Sequence, residues 1–403
     1  MSSSEPCLST IVYVSEIAPV DTQASSVLIF RHLRALEREG YRICVVTLAI
    51  AVKPGDLPST WQLIALPPRK PYYPPYRPQG LLRRLRWHLL DRIVRPALTG
   101  QSIQCVISLL QGEYLVGYAA WLSQRLSTPL FCFYHDRGER LHHWGNPAGA
   151  ERLRRQNLAV LATPTLQRVW TVTPELNYEL PSLADKFLTV YPLPEAYAER
   201  APLVWRDTLG RAPILAYAGS IYDQVIEPMR QLARELSTLG GRLLLYSHLA
   251  ETARRLEQEF PGIVTYEGNI RGAQQLCTII REKSSAFVVA YPAEVSAMPW
   301  CLDCFPSKFS QLVQSGLPGL VISPPETAIA RWCLQHNWSL FADASDLSGV
   351  RQQLQSLTQR ESWERALAQT REAAAEDFLP SHIEQLVNGD VRQACQSSPP
   401  PQS

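Results

Sequence analysis

The chain has 403 residues, a formal net charge of +2 and an apolar fraction of 46%. That length favours two domains over one, and the near-neutral charge supplies no field that would draw nucleic acid. No apolar run reaches the span of a bilayer, and the opening MSSSEPCLST lacks the basic and long apolar regions of a secretory signal, so a cytoplasmic protein is expected.

The nine cysteines are scattered. Cys301 and Cys304 form one C-x-x-C with no second pair and no nearby paired His, which favours free cytosolic thiols over zinc or redox chemistry. Ile11–Ser15 (IVYVS) predicts a strand that opens onto the loop Glu16–Ser25. A helix follows, with Val27, Leu28, Phe30, Leu33 and Leu36 as its apolar stripe and Gly40 as its end. Ile43–Leu48 (ICVVTL) is the next strand, and a strand–helix–strand unit makes the two strands parallel. The first loop holds no glycine, which disfavours a dinucleotide fingerprint.

Pro67–Pro78 (PPRKPYYPPYRP) reads as an extended, exposed segment. Leu81–Leu98 (LLRRLRWHLLDRIVRPAL) reads as a basic amphipathic helix. Leu82, Leu85, Leu89, Ile93, Trp87, Leu90 and Val94 form a broad apolar face beside Arg83, Arg84, Arg86, Arg92 and Arg95. Two readings stand level here. One is a surface that touches anionic lipid or an anionic acceptor, making the protein peripheral at the inner face of a membrane. The other is a domain helix with a solvated basic face.

Cys105–Leu110, a helix over Tyr114–Leu126 and the strand Leu130–Tyr134 (LFCFY) come next. His135 and Asp136 follow that strand directly. Ligand crevices in open α/β sheets lie at strand carboxyl ends, so the pair is placed for chemistry. A histidine there serves as a donor or as a general base near neutral pH, unless it merely caps the next turn. His142 and His143 follow without the spacing of a helical metal motif. Val169–Thr173, a helix over Pro174–Leu180 and Leu188–Tyr191 complete the first half. The polar, proline-bounded Glu195–Pro213 predicts the hinge.

The second half restarts with strand Ile214–Tyr217, then Ala218, Gly219 and Ser220. Helices are predicted over Glu227–Thr238, Glu251–Glu259, Gln274–Lys283 and Thr327–His336. The strands Leu243–Tyr246, Ile263–Tyr266 and Ala286–Tyr291 alternate with the first three. Phe341–Leu347 is read as a loop. Two amphipathic helices follow, Leu347–Leu357 and Trp363–Asp377, and a disordered tail is expected from Gln393.

Within Phe305–Ile322 (FPSKFSQLVQSGLPGLVI), Phe309, Leu312 and Val313 share one helical face. Gly316 and Pro318 stop the helix, and Leu320–Ile322 is a buried strand. A helix start with a hydroxyl (Ser307) and a lysine (Lys308) suits an anion. Taken alone, this local pattern favours an ordinary α/β unit whose Lys308 is a solvated surface charge.

The whole arrangement resembles the GT-B glycosyltransferases of group 1, the nucleotide-sugar-dependent type. In the first half the likeness rests on IVYVSEIAP, RHLRALEREGYRICVVT, FCFYHD and VWTVTPEL. In the second half it rests on ILAYAGSIYD, VTYEGNI, FVVAYP and above all FPSKFSQLVQSGLP with PPETAIARW. The resemblance implies an α/β protein of two Rossmann-like domains facing across a cleft. Residues 1–197 would bind the acceptor and residues 205–362 the nucleotide-sugar donor. Helices over 363–392 would cross back to the first domain, and 393–403 would form the tail.

It further implies sugar transfer from a nucleoside-diphosphate donor to a hydroxyl of a glycan or lipid-linked acceptor, as in polysaccharide biosynthesis, with no cofactor beyond the co-substrate. His135, Asp136 and Lys308 would act at the reacting centre. Gly219, Ser220, Tyr246, Ser247, Glu267, Gly268, Asp303, Pro306, Ser307 and Gln311 would hold the donor, and Glu16 and Gln23 the acceptor. No Asp-x-Asp cluster is present, which fits a metal-independent reaction.

The chain departs from the family pattern in specific places. Many members carry a glutamate where this chain has Gln311, and another at the position of Asp303. A carboxamide accepts hydrogen bonds less strongly than a carboxylate. An arginine and a lysine common in the family are replaced by Ser220 and Val225, leaving Lys308, with Arg271 as a second cation, for the diphosphate. The glycine-rich first loop is replaced by DTQASS. These departures keep open a catalytically inactive GT-B-like binding protein. A nucleotide-sugar epimerase on the same plan is a weaker rival, because it needs more carboxylates than this chain offers.

Overall fold

The structure is a computed structural model, and it describes residues 9–21, 24–67, 81–112, 114–138, 140, 147–179, 181–197, 203–205 and 212–397. The chain divides into two compact units, Met1–Val190 with Glu384–Ser403, and Tyr191–Ile383.

The first unit holds β1 (Thr10–Val14), α1 (Ala24–Arg38), β2 (Arg42–Leu48), β3 (Gln62–Leu66), α2 (Leu81–Leu98), β4 (Ile103–Leu109), α3 (Leu115–Leu126), β5 (Leu130–Tyr134), α4 (Pro147–Leu161), β6 (Leu166–Thr171) and β7 (Phe187–Thr189). Its strands form one parallel sheet in the order β3-β2-β1-β4-β5-β6-β7. Val12 of β1 registers with Cys44 of β2 on one side and Val106 of β4 on the other. Every residue of β1 and β5 is buried. Continuous apolar strands of this kind are stable only where helices cover both sheet faces.

Two elements of this unit escape the sequence pattern. β3 alternates buried and exposed positions at the sheet edge, so its apolar signal is half-strength. α4 is rich in arginine and buries only part of its length, through Leu153, Val160 and Leu161. The expected helix at Pro174 is a 3-10 turn over Pro174–Glu179.

The second unit holds β8 (Ile214–Ala218), α5 (Asp223–Thr238), β9 (Arg242–Tyr246), α6 (Ala250–Glu259), β10 (Val264–Gly268), α7 (Ala273–Lys283), β11 (Ala286–Ala290), α8 (Ser307–Val313), β12 (Gly319–Ile322), α9 (Ala328–Gln335), β13 (Phe341–Ala342), α10 (Leu347–Ser356) and α11 (Arg360–Ala375). Its parallel sheet runs β10-β9-β8-β11-β12-β13. The segment read as a loop from Phe341 thus begins with a short edge strand.

An aromatic cluster fixes α8 in this unit. Phe309 is fully buried, and its ring centroid lies 5.2 Å from that of Trp332, 5.5 Å from Trp338 and 5.9 Å from Phe287. Edge-to-face pairs of this kind add about 0.5–1.5 kcal/mol each beyond their burial. A short helix so pinned presents its neighbouring side chains in one place.

Trp363 on α11 donates from its indole to Ser285 O at 2.8 Å and packs 5.7 Å from Trp205, which keeps α11 within the second unit. The chain enters the first unit at Glu384, inside α12 (Pro380–Ser397). There Val387 and Val391 are buried, and Asp390 accepts from the Trp170 indole at 2.8 Å and pairs with Arg168 at 3.2 Å. These anchors carry helix through Ser397, over the first residues of the tail expected from Gln393; residues 398–403 of that tail lie outside the described residues.

Candidate functional site

In both sheets the strand order reverses once, between β1 and β4 in the first unit and between β8 and β11 in the second. The helices on either side of such a reversal leave on opposite faces, which opens a crevice at the carboxyl ends of the strands. The two edges are described separately.

In the second unit, β8 ends at Ala218 and Gly219 follows. The Gly219 N–H donates to Tyr246 O at 2.8 Å, tying the end of β8 to the end of β9. The Lys308 side chain, from the first turn of α8, lies directly on Gly219. A Cβ built at Gly219 would stand 2.6 Å from Lys308 Cε and 2.8 Å from its Cδ. Only glycine leaves room for this contact.

Lys308 has no hydrogen bond or ion pair among the described residues. Burial lowers its ammonium from 10.5 to about 8, because desolvation penalises the charged form. It is still mainly charged at neutral pH. Pro306 occupies the N-cap position of α8 and no side chain caps the helix there. The first amides of a helix have no acceptor of their own, so Ser307 and Lys308 offer N–H groups beside the ammonium. The Ser307 carbonyl accepts from Ser310 Oγ at 2.9 Å.

The neighbouring loops are braced. Tyr217 Oη donates to Ser220 O at 2.9 Å. The Ser247 N–H donates to Gly268 O at 3.0 Å, and its buried Oγ accepts from the Leu249 N–H at 3.1 Å. The Tyr246 phenol is buried with no hydrogen-bond partner among the described residues, and burial pushes its pKa up. Gly268 has φ +95°.

Other predicted donor residues are engaged elsewhere. Glu267 is ion-paired with Lys283. Gln311 is buried, and both ends of its carboxamide are used by the backbone of one residue: Oε1 accepts from the Glu195 N–H at 2.8 Å and Nε2 donates to Glu195 O at 3.3 Å. A glutamate could make only the first of these bonds as a carboxylate. Asp303 is buried after the 3-10 turn Pro299–Leu302. Arg271 is exposed just before α7. Val225, where the family pattern has a cation, is buried in α5.

In the first unit, Glu16 follows β1, Gln111 follows β4, and His135 and Asp136 follow β5, so adjacent strands bring them to one edge. Glu16 Oε1 accepts from the Tyr114 N–H at 2.6 Å, at the N-terminus of α3. A carboxylate there also complements the helix dipole. Gln111 donates to Asp136.

His135 is buried, its Nδ1 has no partner among the described residues, and its ring lies 5.6 Å from Phe133. Burial lowers its pKa to about 4. Phe133 also packs against the buried His32 at 4.9 Å. His135 is therefore neutral at pH 7. Of the two roles expected for it, donor or general base, this state favours hydrogen bonding, because the imidazole is a weak proton acceptor. Gln23, His142 and His143 lie outside the described residues.

Tyr217, Gln111 and the Glu195 backbone are the parts the sequence reading did not single out. Gln111 had a usable signal, since it sits just past a strand adjacent to that of His135. No local pattern announces the other two. Among the described residues, no group of three or more His, Cys, Asp and Glu is arranged to hold a metal ion.

No protein-family profile and no curated protein sequence matches the chain. Solved structures do resemble it. Sucrose-phosphate synthase from Thermosynechococcus elongatus is 15% identical with a TM-score of 0.67, covering 97% of this chain and 100% of its own. HepE from Anabaena, in complex with UDP and glucose, is 12% identical with a TM-score of 0.64, covering 95% and 99%. The catalytic domain of starch synthase IV from Arabidopsis thaliana, bound to ADP and acarbose, is 12% identical with a TM-score of 0.60, covering 97% and 100%. At such identities the likeness speaks to architecture, and the chain has the α/β fold of two Rossmann-like units that these glycosyltransferases share, the GT-B fold.

Proposed function

We propose that the protein is a glycosyltransferase that moves a sugar from a nucleoside-diphosphate donor to a hydroxyl of a glycan or lipid-linked acceptor. The observation that carries this reading is the unpaired Lys308 ammonium, seated on Gly219 at the reversal of the second sheet. As the bond from the sugar C1 to the diphosphate oxygen breaks, its electron pair stays on the diphosphate. Lys308 and the N–H groups at the start of α8 would stabilise that charge without a metal. The acceptor oxygen forms the new bond to C1 and passes its proton to the departing diphosphate or to solvent.

Gly219 and Ser220 allow close approach of the phosphates. Tyr246, Ser247 and Gly268 border the strand ends where ribose and base would rest. His135, as a neutral imidazole, and Asp136, held by Gln111, would orient sugar or acceptor hydroxyls. HepE and the catalytic domain of starch synthase IV were solved with UDP and ADP respectively, which supports a nucleotide as the ligand of this fold. The cysteines described are all free thiols, in keeping with a reducing cytoplasm.

The test is isothermal titration with UDP, GDP and ADP, on the wild type and on Lys308→Met. One nucleotide should bind, and the variant should bind it about 10- to 100-fold more weakly, the worth of a hydrogen bond to a charged group. Absence of binding by all three would end this reading. A second reading, a nucleotide-binding protein without transferase activity, draws on Gln311 being committed to Glu195 and on the apolar Val225. Donor hydrolysis, or transfer in a mixed-acceptor screen, would exclude it.

A further inference from the structure

The helix α2 buries one face and leaves the opposite one in an unusual state. Trp87, Leu90, Val94 and Leu98 are buried, and so is Asp91, the helix's one acidic residue. Leu85, Leu89 and Ile93 point the other way and are 56%, 51% and 42% exposed. At about 100° per residue, these three and Pro96 fall within a sector of about 80°. Arg84, His88, Arg92 and Arg95, all exposed, occupy the adjoining sector.

The solvent face of α2 is thus half apolar and half cationic, with no exposed carboxylate among its described residues. Arg95 is paired with Asp91 at 3.6 Å, which leaves the rest of the cationic sector uncompensated on its own helix. The pattern continues onto α3, where the Trp121 ring lies 5.2 Å from His88 and the Arg125 guanidinium stacks 5.6 Å above Trp121. Three large aliphatic side chains exposed at successive turns make one contiguous apolar stripe, the kind of surface that marks an interaction site.

We propose that this face of the first unit docks on an anionic lipid bilayer, lying parallel to its plane. Leu85, Leu89 and Ile93 enter the boundary between headgroups and acyl chains, while the arginines meet lipid phosphates. Trp121 sits at the depth that suits an amphipathic ring. Charge complementarity selects the occupant: a zwitterionic surface would offer the arginines no net counter-charge, and a second copy would set two cationic rims against each other. No helix among the described residues is long and apolar enough to cross a membrane, so the contact is peripheral. The inference does not depend on the catalytic reading. For a transferase with a lipid-linked acceptor, however, it would bring enzyme and acceptor to one surface.

Flotation of the full chain with vesicles tests it. The protein should float with phosphatidylcholine–phosphatidylglycerol vesicles, stay behind with phosphatidylcholine alone, and be released in part as salt shortens the screening length. Leu89→Ser with Ile93→Ser should lower the partition coefficient by about tenfold or more. Arg84→Glu with Arg92→Glu should do the same. Both double variants alter exposed positions, so thermal unfolding should match the wild type. Equal flotation with both vesicle types, no flotation, or undiminished flotation of both variants would overturn the proposal. So would a dimer in sedimentation that the Leu89–Ile93 variant abolishes, because the face would then belong to a second copy.

Discussion

Replacing Lys308 by Met separates a lysine kept for a ligand from one kept for the fold. Methionine preserves an unbranched apolar stem over Gly219 and removes only the ammonium. That ammonium is desolvated without a counter-charge, and its pKa falls from 10.5 to about 8. At about 1.36 kcal/mol per pKa unit, the wild type bears a penalty of up to about 3 kcal/mol at neutral pH. Partial exposure of the side chain reduces this to about 2 kcal/mol.

The unfolded chain holds the proton more tightly than the folded one. Stability is therefore depressed in full below pH 8 and recovers as pH rises from 8 towards 10.5. Urea unfolding of wild type and Lys308→Met at pH 7 and pH 10 reads this directly. The variant should be the more stable at pH 7 by about 2 kcal/mol, with the difference shrinking by pH 10, while its nucleotide affinity falls. A variant less stable than the wild type at pH 7, with a gap indifferent to pH, would refute the account and make Lys308 a structural residue.

Gly219→Ala places a methyl group where the Lys308 stem lies. It should weaken nucleotide binding by about tenfold or more in titration calorimetry, through displacement of the ammonium. Gln311→Glu restores the family's carboxylate but sets it against the Glu195 carbonyl, and should cost about 2–3 kcal/mol in urea unfolding at pH 8. The loss should be smaller at pH 5, where the new carboxyl group, once protonated, can again donate. His135, with its pKa lowered from 6.5 to about 4, is bound to destabilise the fold on charging. Its contribution is intact above pH 6.5 and is lost as pH falls towards 4, so His135→Gln should flatten that part of the acid-unfolding curve. Its NMR ring resonances in the folded protein should not titrate between pH 6 and 8.

Most of the fold was legible because the parallel strands are buried on both faces. IVYV, CVIS, LFCFY and AFVVA are runs of apolar residues with no competing reading once helices alternate with them. What failed to show was half-buried. β3 presents one face to the edge of its sheet, α4 is mostly arginine, alanine and glutamine outside its three apolar anchors, and α12 is held by two valines, one aspartate and ion pairs to Arg38 and Glu39. Such elements owe their existence to partners far away in sequence, and no window of a dozen residues contains them.

The edges of the two sheets divide along the same line. That Gly219 and Lys308 meet follows from a rule of topology, since the end of β8 and the helix after β11 flank the strand-order reversal wherever this order occurs. The state of a side chain at such an edge follows no comparable rule. His135 stands at the right strand end, yet its enclosure removes the basicity that its residue type suggests. Gln311 reads as a weakened glutamate when aligned with a motif. In the fold it is a two-way bracket on Glu195, where a donor and an acceptor are both required. The substitution that looked like loss of a ligand contact thus has a structural cause of its own, and inactivity cannot be argued from Gln311 without first accounting for the backbone it holds.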